Sequence, residues 1–191
     1  MYRLLVLLLV LPLAACDSDD LTQTATASIS APTDTTTGVT GTVDFTQDGD
    51  ELRMDVTVNG LAANSTHGFH IHAVGDCGRG DHDDDGFAEV AGAATGHYDP
   101  YGTMDHGAPT DDVDSKHAGD FGNLTANASG TATATLTTDI LSLDGTNPVE
   151  GRAVMVHANR DDLESDPGGM SGDRIGCGVI SMATDSDDDE D

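Results

Sequence analysis

Apolar and polar residues alternate through Thr40–Phe45 and again through Leu52–Val58, with Gln47-Asp48-Gly49-Asp50 between the two runs. A two-residue period sends successive side chains to opposite faces, so each run has one face to bury and one to leave wet. The Asp-Gly step is a hairpin signal, because a tight antiparallel turn needs residues that accept a left-handed backbone. Further strand-like runs lie at Gly68–Val74, Gly130–Leu136, Gly151–His157 and Arg174–Ser181, and no segment holds a 3.6-residue period over three turns. Short strands punctuated by Gly, Asp and Asn predict an all-β sandwich or barrel. Tryptophan is absent, so the core must be assembled mainly from Val, Ile, Leu, Ala and Met.

The ends read differently. Met1-Tyr2-Arg3 is a short basic start and Leu4–Leu13 an apolar run, too short to cross a bilayer and suited to the centre of an export signal. Leu13-Ala14-Ala15-Cys16 resembles a bacterial lipobox. This predicts a signal peptide over 1–15 and a lipidated Cys16, with a plain signal peptide as the alternative. Residues 16–27 read as the lipidated cysteine and a polar tether, 28–182 as the folded domain, and 183–191 as an acidic disordered tail. The expected location is the cell envelope, periplasm or outer surface, with the chain held to the membrane through Cys16.

Charge excludes one large class of partner. Lys and Arg number 7 against 35 Asp and Glu, a formal net charge of −28. A nucleic-acid binder needs a basic patch to displace counterions from phosphates, and Lys116 is the only lysine. Such a surface suits a protein kept soluble at high salt. Besides Cys16 there are two cysteines, Cys77 and Cys177. In an exported chain such a pair is most simply a disulfide, the alternative being two metal-ligating thiolates.

Eight histidines concentrate the chemistry: His67, His70, His72, His82, His97, His106, His117 and His157. His70-Ile71-His72 on a strand sends both rings to one face, where they can share an ion, and sends Ile71 to the other. Two ordinary surface histidines are the bland alternative. His97, His106, His117 and Asp120 lie along a polar, irregular stretch from Asp76 to Asp120, and His157 closes an apolar run. Several imidazoles with one carboxylate suit zinc and copper rather than calcium or magnesium, which prefer oxygen shells.

In order along the chain, Gly68-Phe69-His70-Ile71-His72, Gly75-Asp76-Cys77, Gly96-His97-Tyr98-Asp99-Pro100, His106-Gly107-Ala108-Pro109 and His117-Ala118-Gly119-Asp120-Phe121-Gly122-Asn123 resemble the copper/zinc superoxide dismutases. Gly151-Arg152, Val156-His157, Asp161-Asp162-Leu163 and Arg174-Ile175-Gly176-Cys177-Gly178-Val179-Ile180 continue the match. The resemblance runs from about Thr24 to Met182. It implies an eight-stranded Greek-key β-barrel, a flattened sandwich with long metal-binding and electrostatic loops. It also implies turnover of superoxide to dioxygen and hydrogen peroxide by a Cu(II)/Cu(I) cycle.

By the same resemblance His70, His72, His97 and His157 are the copper ligands. His97 also reaches zinc, completed by His106, His117 and Asp120. Asp161 joins a copper-side ring, His72 or His70, to His106; Arg174 docks the anion, and His97 supplies a proton. Cys77–Cys177 matches the family disulfide, and His67 a structural histidine bonded to backbone. His82 matches nothing and reads as a solvated loop residue.

Departures from the family pattern are specific. The stretch from Asp161 to Arg174 is short and carries Glu164, Asp166 and Asp173 where some members place steering lysines. Asp81-His82-Asp83-Asp84-Asp85-Gly86 resembles the start of an EF-hand calcium loop, but its twelfth position is Gly92 rather than the closing Glu, which favours a solvated acidic loop. A copper-buffering envelope lipoprotein and a structural envelope module with a decayed site are the rival functions. Relatives include monomers and homodimers, so the oligomeric state stays open.

Overall fold

A computed structural model describes residues 22–33, 35–82 and 85–183. The signal peptide, Cys16, Asp83, Asp84 and the tail beyond Ala183 lie outside the described residues.

Among the described residues eight strands form the fold: β1 (Gln23–Ser30), β2 (Thr40–Asp48), β3 (Glu51–Asn59), β4 (Thr66–His72), β5 (Asp120–Thr125), β6 (Ala132–Thr138), β7 (Ala153–His157) and β8 (Arg174–Met182). All pairings are antiparallel, in the order β5-β4-β7-β8-β1-β2-β3-β6. The strands curl into a nearly closed barrel-like sheet, and the β3–β6 and β4–β7 pairings are its crossovers. Asp48 opposite Glu51 closes the expected β2–β3 hairpin.

Alternation sets what each strand buries. Val43 and Phe45 on β2 and Leu52, Met54, Val56 and Val58 on β3 point into one core with Phe69, Ile71, Val154, Val156 and Ile180. Phe69 and Ile71 fill the barrel, which turns His70 and His72 outward beneath the loops at residues 73–119 and 158–173. A second, smaller cluster of Ala91, Ala94, Ala153, Met155 and Cys177 packs behind the first loop.

Two strands escape the sequence pattern. The first begins at Gln23, within the stretch read as tether to residue 27. Its inward residues are Ala25, Ala27 and Ile29, and two alanines among Ser and Thr give little hydropathy contrast. Pairing with both β2 and β8 makes it a strand. Strand β5 is equally quiet, since its first residue is the buried carboxylate of Asp120.

Candidate metal centre

The site lies where β4, β7 and the two long loops meet. His70 and His72 come from β4, His157 from the end of β7, His97, His106 and His117 from the first loop, and Asp120 from the start of β5. His72 and His97 form an isolated bridge that holds the loop against the strand. Donor atoms of His70, His72, His97 and His157 lie within 4.8 Å of one another, as do those of His97, His106, His117 and Asp120. His97 belongs to both groups.

Outside partners fix three rings so that one nitrogen of each faces inward. His70 Nε2 donates to Asp161 Oδ2 at 2.7 Å, His72 Nδ1 to the Thr95 carbonyl at 2.7 Å, and His157 Nδ1 to the Gly172 carbonyl at 3.0 Å. The remaining nitrogens then carry lone pairs. His72 Nε2 and His157 Nε2 stand 3.4 Å apart, and His70 Nδ1 is buried without a hydrogen-bond partner. Burial, joined by neighbouring positive charge, pushes His72 and His157 well below the usual histidine range; burial also lowers His70, against the pull of Asp161. Neutral rings whose buried lone pairs converge repel one another unless a cation sits among them. The donor set fits a nitrogen-preferring ion such as copper.

The second group is built around Asp120. Its Oδ1 lies 2.7 Å from His97 Nδ1 and 3.2 Å from His106 Nδ1, and its Oδ2 lies 3.3 Å from His117 Nδ1. His106 Nδ1 and His117 Nδ1 are that close without hydrogen-bond alignment, so both are buried and unpaired. Backbone N–H groups of His117 and Gly107 hold Asp120 Oδ2 at 2.9 and 3.2 Å. Three imidazole nitrogens and one carboxylate are a zinc-type set. Although burial opposes ionisation, the close imidazoles of His106, His117 and His97 hold Asp120 well below the usual carboxylate range. His106 loses charge stability to burial, but Asp120 and Asp161 outweigh that and raise it to about 10, while burial takes His97 down to about 3.

Asp161 joins the two groups. Its Oδ2 accepts from His70 and its Oδ1 lies 2.9 Å from His106 Nε2, so the copper-side ring it reaches is His70 rather than His72. Asn123 grips the backbone of Asp161 from both sides, donating Nδ2 to its carbonyl at 2.9 Å and accepting its N–H at 2.8 Å. Gly169 packs against the carboxylate at φ +63°, where a Cβ would stand 1.9 Å from Asp161 Oδ1 and 2.6 Å from His106 Nε2.

Arg174 opens β8 at the wall of the cavity. It is 8% exposed and donates to the carbonyls of Ala91 and Thr95, each at 2.6 Å. Burial lowers it to about 10, so it stays a cation at neutral pH. Ala91 (φ 52°) and Thr95 (φ 62°) flank the short 3-10 helix Gly92–Ala94 in left-handed backbone, unusual for side-chain-bearing residues. Thr95 thereby presents one carbonyl to both His72 and Arg174. Side-chain motifs do not reveal such carbonyls, and neither Thr95, Ala91 nor Gly172 carries a sequence signal for this role.

The cavity, about 970 Å³, is lined by His72, His97, His157 and Arg174 at its wall and by Phe87, Met104 and Met170 at its rim. The last three are more than 70% exposed. Asp166 and Asp173 line it with Glu89 and Asp99, and Glu164 does not. Asp166 Oδ1 is engaged by the His106 N–H at 2.7 Å.

Other singled-out residues stand apart. His67 Nδ1 donates to the His157 carbonyl at 2.8 Å, a backbone tie of the kind expected. His82 is exposed and pairs through Nδ1 with Glu89 Oε2 at 3.0 Å. Carboxylates of Asp81, Asp85 and Glu89 converge, while those of Asp81 cap the N–H groups of Asp85 and Gly86. Cys77 and Cys177 are bonded, with sulfurs 2.01 Å apart.

A family model described as copper/zinc superoxide dismutase (SODC) matches residues 39–180. An extracellular Cu-Zn superoxide dismutase of Caenorhabditis elegans is 39% identical over 150 residues, 75% of this chain and 62% of the nematode protein. A Cu-Zn superoxide dismutase of Paramecium bursaria Chlorella virus 1 is 33% identical over 186 residues, 94% of this chain and 92% of the viral protein.

Proposed function

The chain belongs to the copper/zinc superoxide dismutase family, and from that premise we propose that it converts superoxide to dioxygen and hydrogen peroxide in the cell envelope. The observation that carries the proposal is the pair of donor groups sharing His97, with buried, partnerless nitrogens on His70, His106 and His117. His70, His72, His97 and His157 would hold copper, and His97, His106, His117 and Asp120 would hold zinc. Copper, when bound, supplies a one-electron couple that superoxide can reduce and then reoxidise, and zinc supplies a fixed charge without redox change.

The chain's own residues do the rest. Arg174, pinned by two carbonyls, offers the remaining face of its guanidinium to an anion entering the cavity. His97 has Nδ1 on Asp120 and Nε2 beside Gly168; with Nδ1 deprotonated as a zinc ligand, the single proton of the neutral ring would sit at Nε2, from where it can pass to the reduced anion. Asp161 orients His70 and His106 together, fixing which nitrogen each presents. Proton and anion thus meet over one wall of the cavity, between His97 and Arg174.

Export and anchoring are part of the same proposal. The leader, Cys16 in its lipobox-like setting, and the Cys77–Cys177 bond support an oxidising compartment and a lipid-held protein. The nematode relative's name places that protein outside the cell. Equilibration with both metals tests the ligand assignment: one copper and one zinc per chain, with a tetragonal, nitrogen-ligated Cu(II) signal, are expected. Two zinc ions, with copper affinity no higher than that of a His70→Ala variant, would refute it.

A further inference from the structure

We infer that the fold dictates how the domain stands on a membrane: with the chain held through Cys16, the end of the barrel where β1 begins lies nearer the lipid and the metal cavity lies at the end away from it. The inference rests on lipidation of Cys16, proposed above. Its basis is strand register.

Strand β1 joins the two ends of the barrel. At its start Gln23 pairs with Gln47, beside the β2–β3 hairpin, and Ala25 pairs with Met182 at the end of β8. Ala183 N donates to the Thr24 carbonyl at 2.9 Å, so the C-terminal stretch also leaves from this end. At its finish Ser30 pairs with Thr40 and with Cys177, near the start of β8. Thr35 and Thr37, just beyond β1, line the metal cavity with Arg174 and Ile175, and Thr37 Oγ1 donates to the Ile175 carbonyl at 3.1 Å. The start of β1, which follows Cys16 in the sequence, and the cavity are therefore at opposite ends of one strand.

Reach turns this polarity into an orientation. Seven Cα steps separate Gln23 from Ser30, about 24 Å of strand, and the cavity mouth lies beyond that. Seven steps also separate Cys16 from Gln23, a span of at most about 25 Å fully extended. Turning the mouth onto the lipid would need those residues stretched flush along the whole barrel wall, with nothing to spare. The terminal end itself is acidic, carrying Asp48, Asp50 and Glu51 on the hairpin and Asp144 held by Gln23 Nε2 at 3.1 Å. Residues 184–191 add six more carboxylates by sequence. Anionic headgroups repel such an end, so the short reach from Cys16, rather than any attraction to lipid, sets which end lies nearer the membrane. The cavity then samples superoxide from the aqueous compartment rather than from the lipid surface.

The test uses the full lipidated chain in vesicles of phosphatidylcholine and phosphatidylglycerol. Asp50→Cys and Phe87→Cys, made in separate proteins with Cys77–Cys177 left oxidised, carry the same donor dye, read by energy transfer to a headgroup acceptor. Transfer should be markedly stronger from position 50 than from position 87. A flexible Gly/Ser insertion of about 20 residues after Asp20, which lengthens the maximum reach about fourfold, should shrink that difference. Equal or stronger transfer from position 87 in the unextended chain overturns the orientation, and a difference unchanged by the insertion overturns the tether as its cause. A chain that does not float with the vesicles, or floats equally well as Cys16→Ala, overturns the anchor and the orientation with it.

Discussion

Breaking the Cys77–Cys177 bond should destabilise the metal-free chain by an amount set mainly by the loop it closes. The cysteines are 100 residues apart in sequence, and for a loop of that length the chain-entropy relation gives about 4.7 kcal/mol at 25 °C. For a domain of this size each kcal/mol moves the melting temperature by about 2–4 °C, so a fall of roughly 10–20 °C is expected. Removing metals first matters, because ligands that bind only the folded state add their own stability and would blur the comparison. The assay is thermal unfolding followed by circular dichroism, on oxidised chain, reduced chain and a Cys77→Ala/Cys177→Ala variant. Cys177 is buried against Ala91, Ala94, Ala153 and Met155, so the double variant also loses packing and should fall at least as far as the reduced chain. A loss below about 1 kcal/mol in both would refute the argument, since the denatured chain would then gain little freedom from the break.

Four other outcomes follow from the site. Asp161→Asn removes the negative charge that serves both His70 and His106 and turns one of its two acceptor oxygens into a donor, and should weaken metal retention about 10–100-fold, checked by chelator competition. Gly169→Ala should reproduce that loss, because its Cβ would fall 1.9 Å from Asp161 Oδ1; Gly49→Ala, with nothing within 4 Å of its Cβ, should leave metal retention unchanged. Chelating the metals from the wild type should lower its melting temperature substantially, as a scan of loaded and stripped chain will read, since the loop at 73–119 has little regular structure of its own. Salt should speed the reaction or leave it unchanged: between about 0.01 and 1 M the Debye length falls from about 30 to about 3 Å, which removes repulsion by the −28 surface before it weakens the close pull of Arg174. Stopped-flow rates that fall steadily with salt would contradict this.

The strands most legible in the sequence were those with large contrast between faces. Leu52, Met54, Val56 and Val58 alternate with polar neighbours, and the β2–β3 hairpin follows from that pattern and its Asp-Gly turn. Strand β1, whose inward face is Ala25, Ala27 and Ile29, lacks that contrast and depends on partners remote in the chain. The candidate site was legible where chemistry sits on side chains: His70 and His72 share a face by the period of a strand, and the loop histidines gain order from the family resemblance. What remained hidden sits on backbone. The Thr95 carbonyl that orients both His72 and Arg174 follows from left-handed φ values at Ala91 and Thr95, which the residue types do not announce. Asp161 could reach His70 or His72 as far as sequence went, because choosing between them requires knowing where the loop at 158–173 folds back.

The most direct measurement of the central claim is pulse radiolysis of superoxide with chain carrying one copper and one zinc, alongside a His157→Ala variant prepared the same way. His157 supplies one of the convergent donor nitrogens and belongs only to the group that would hold copper, so its loss should damage the copper site and spare zinc. The account predicts catalytic superoxide decay by the wild type, with the rate falling steeply in the variant while zinc content holds. A fully loaded wild type that removes superoxide no faster than buffer, or a variant equal to it, would contradict the account.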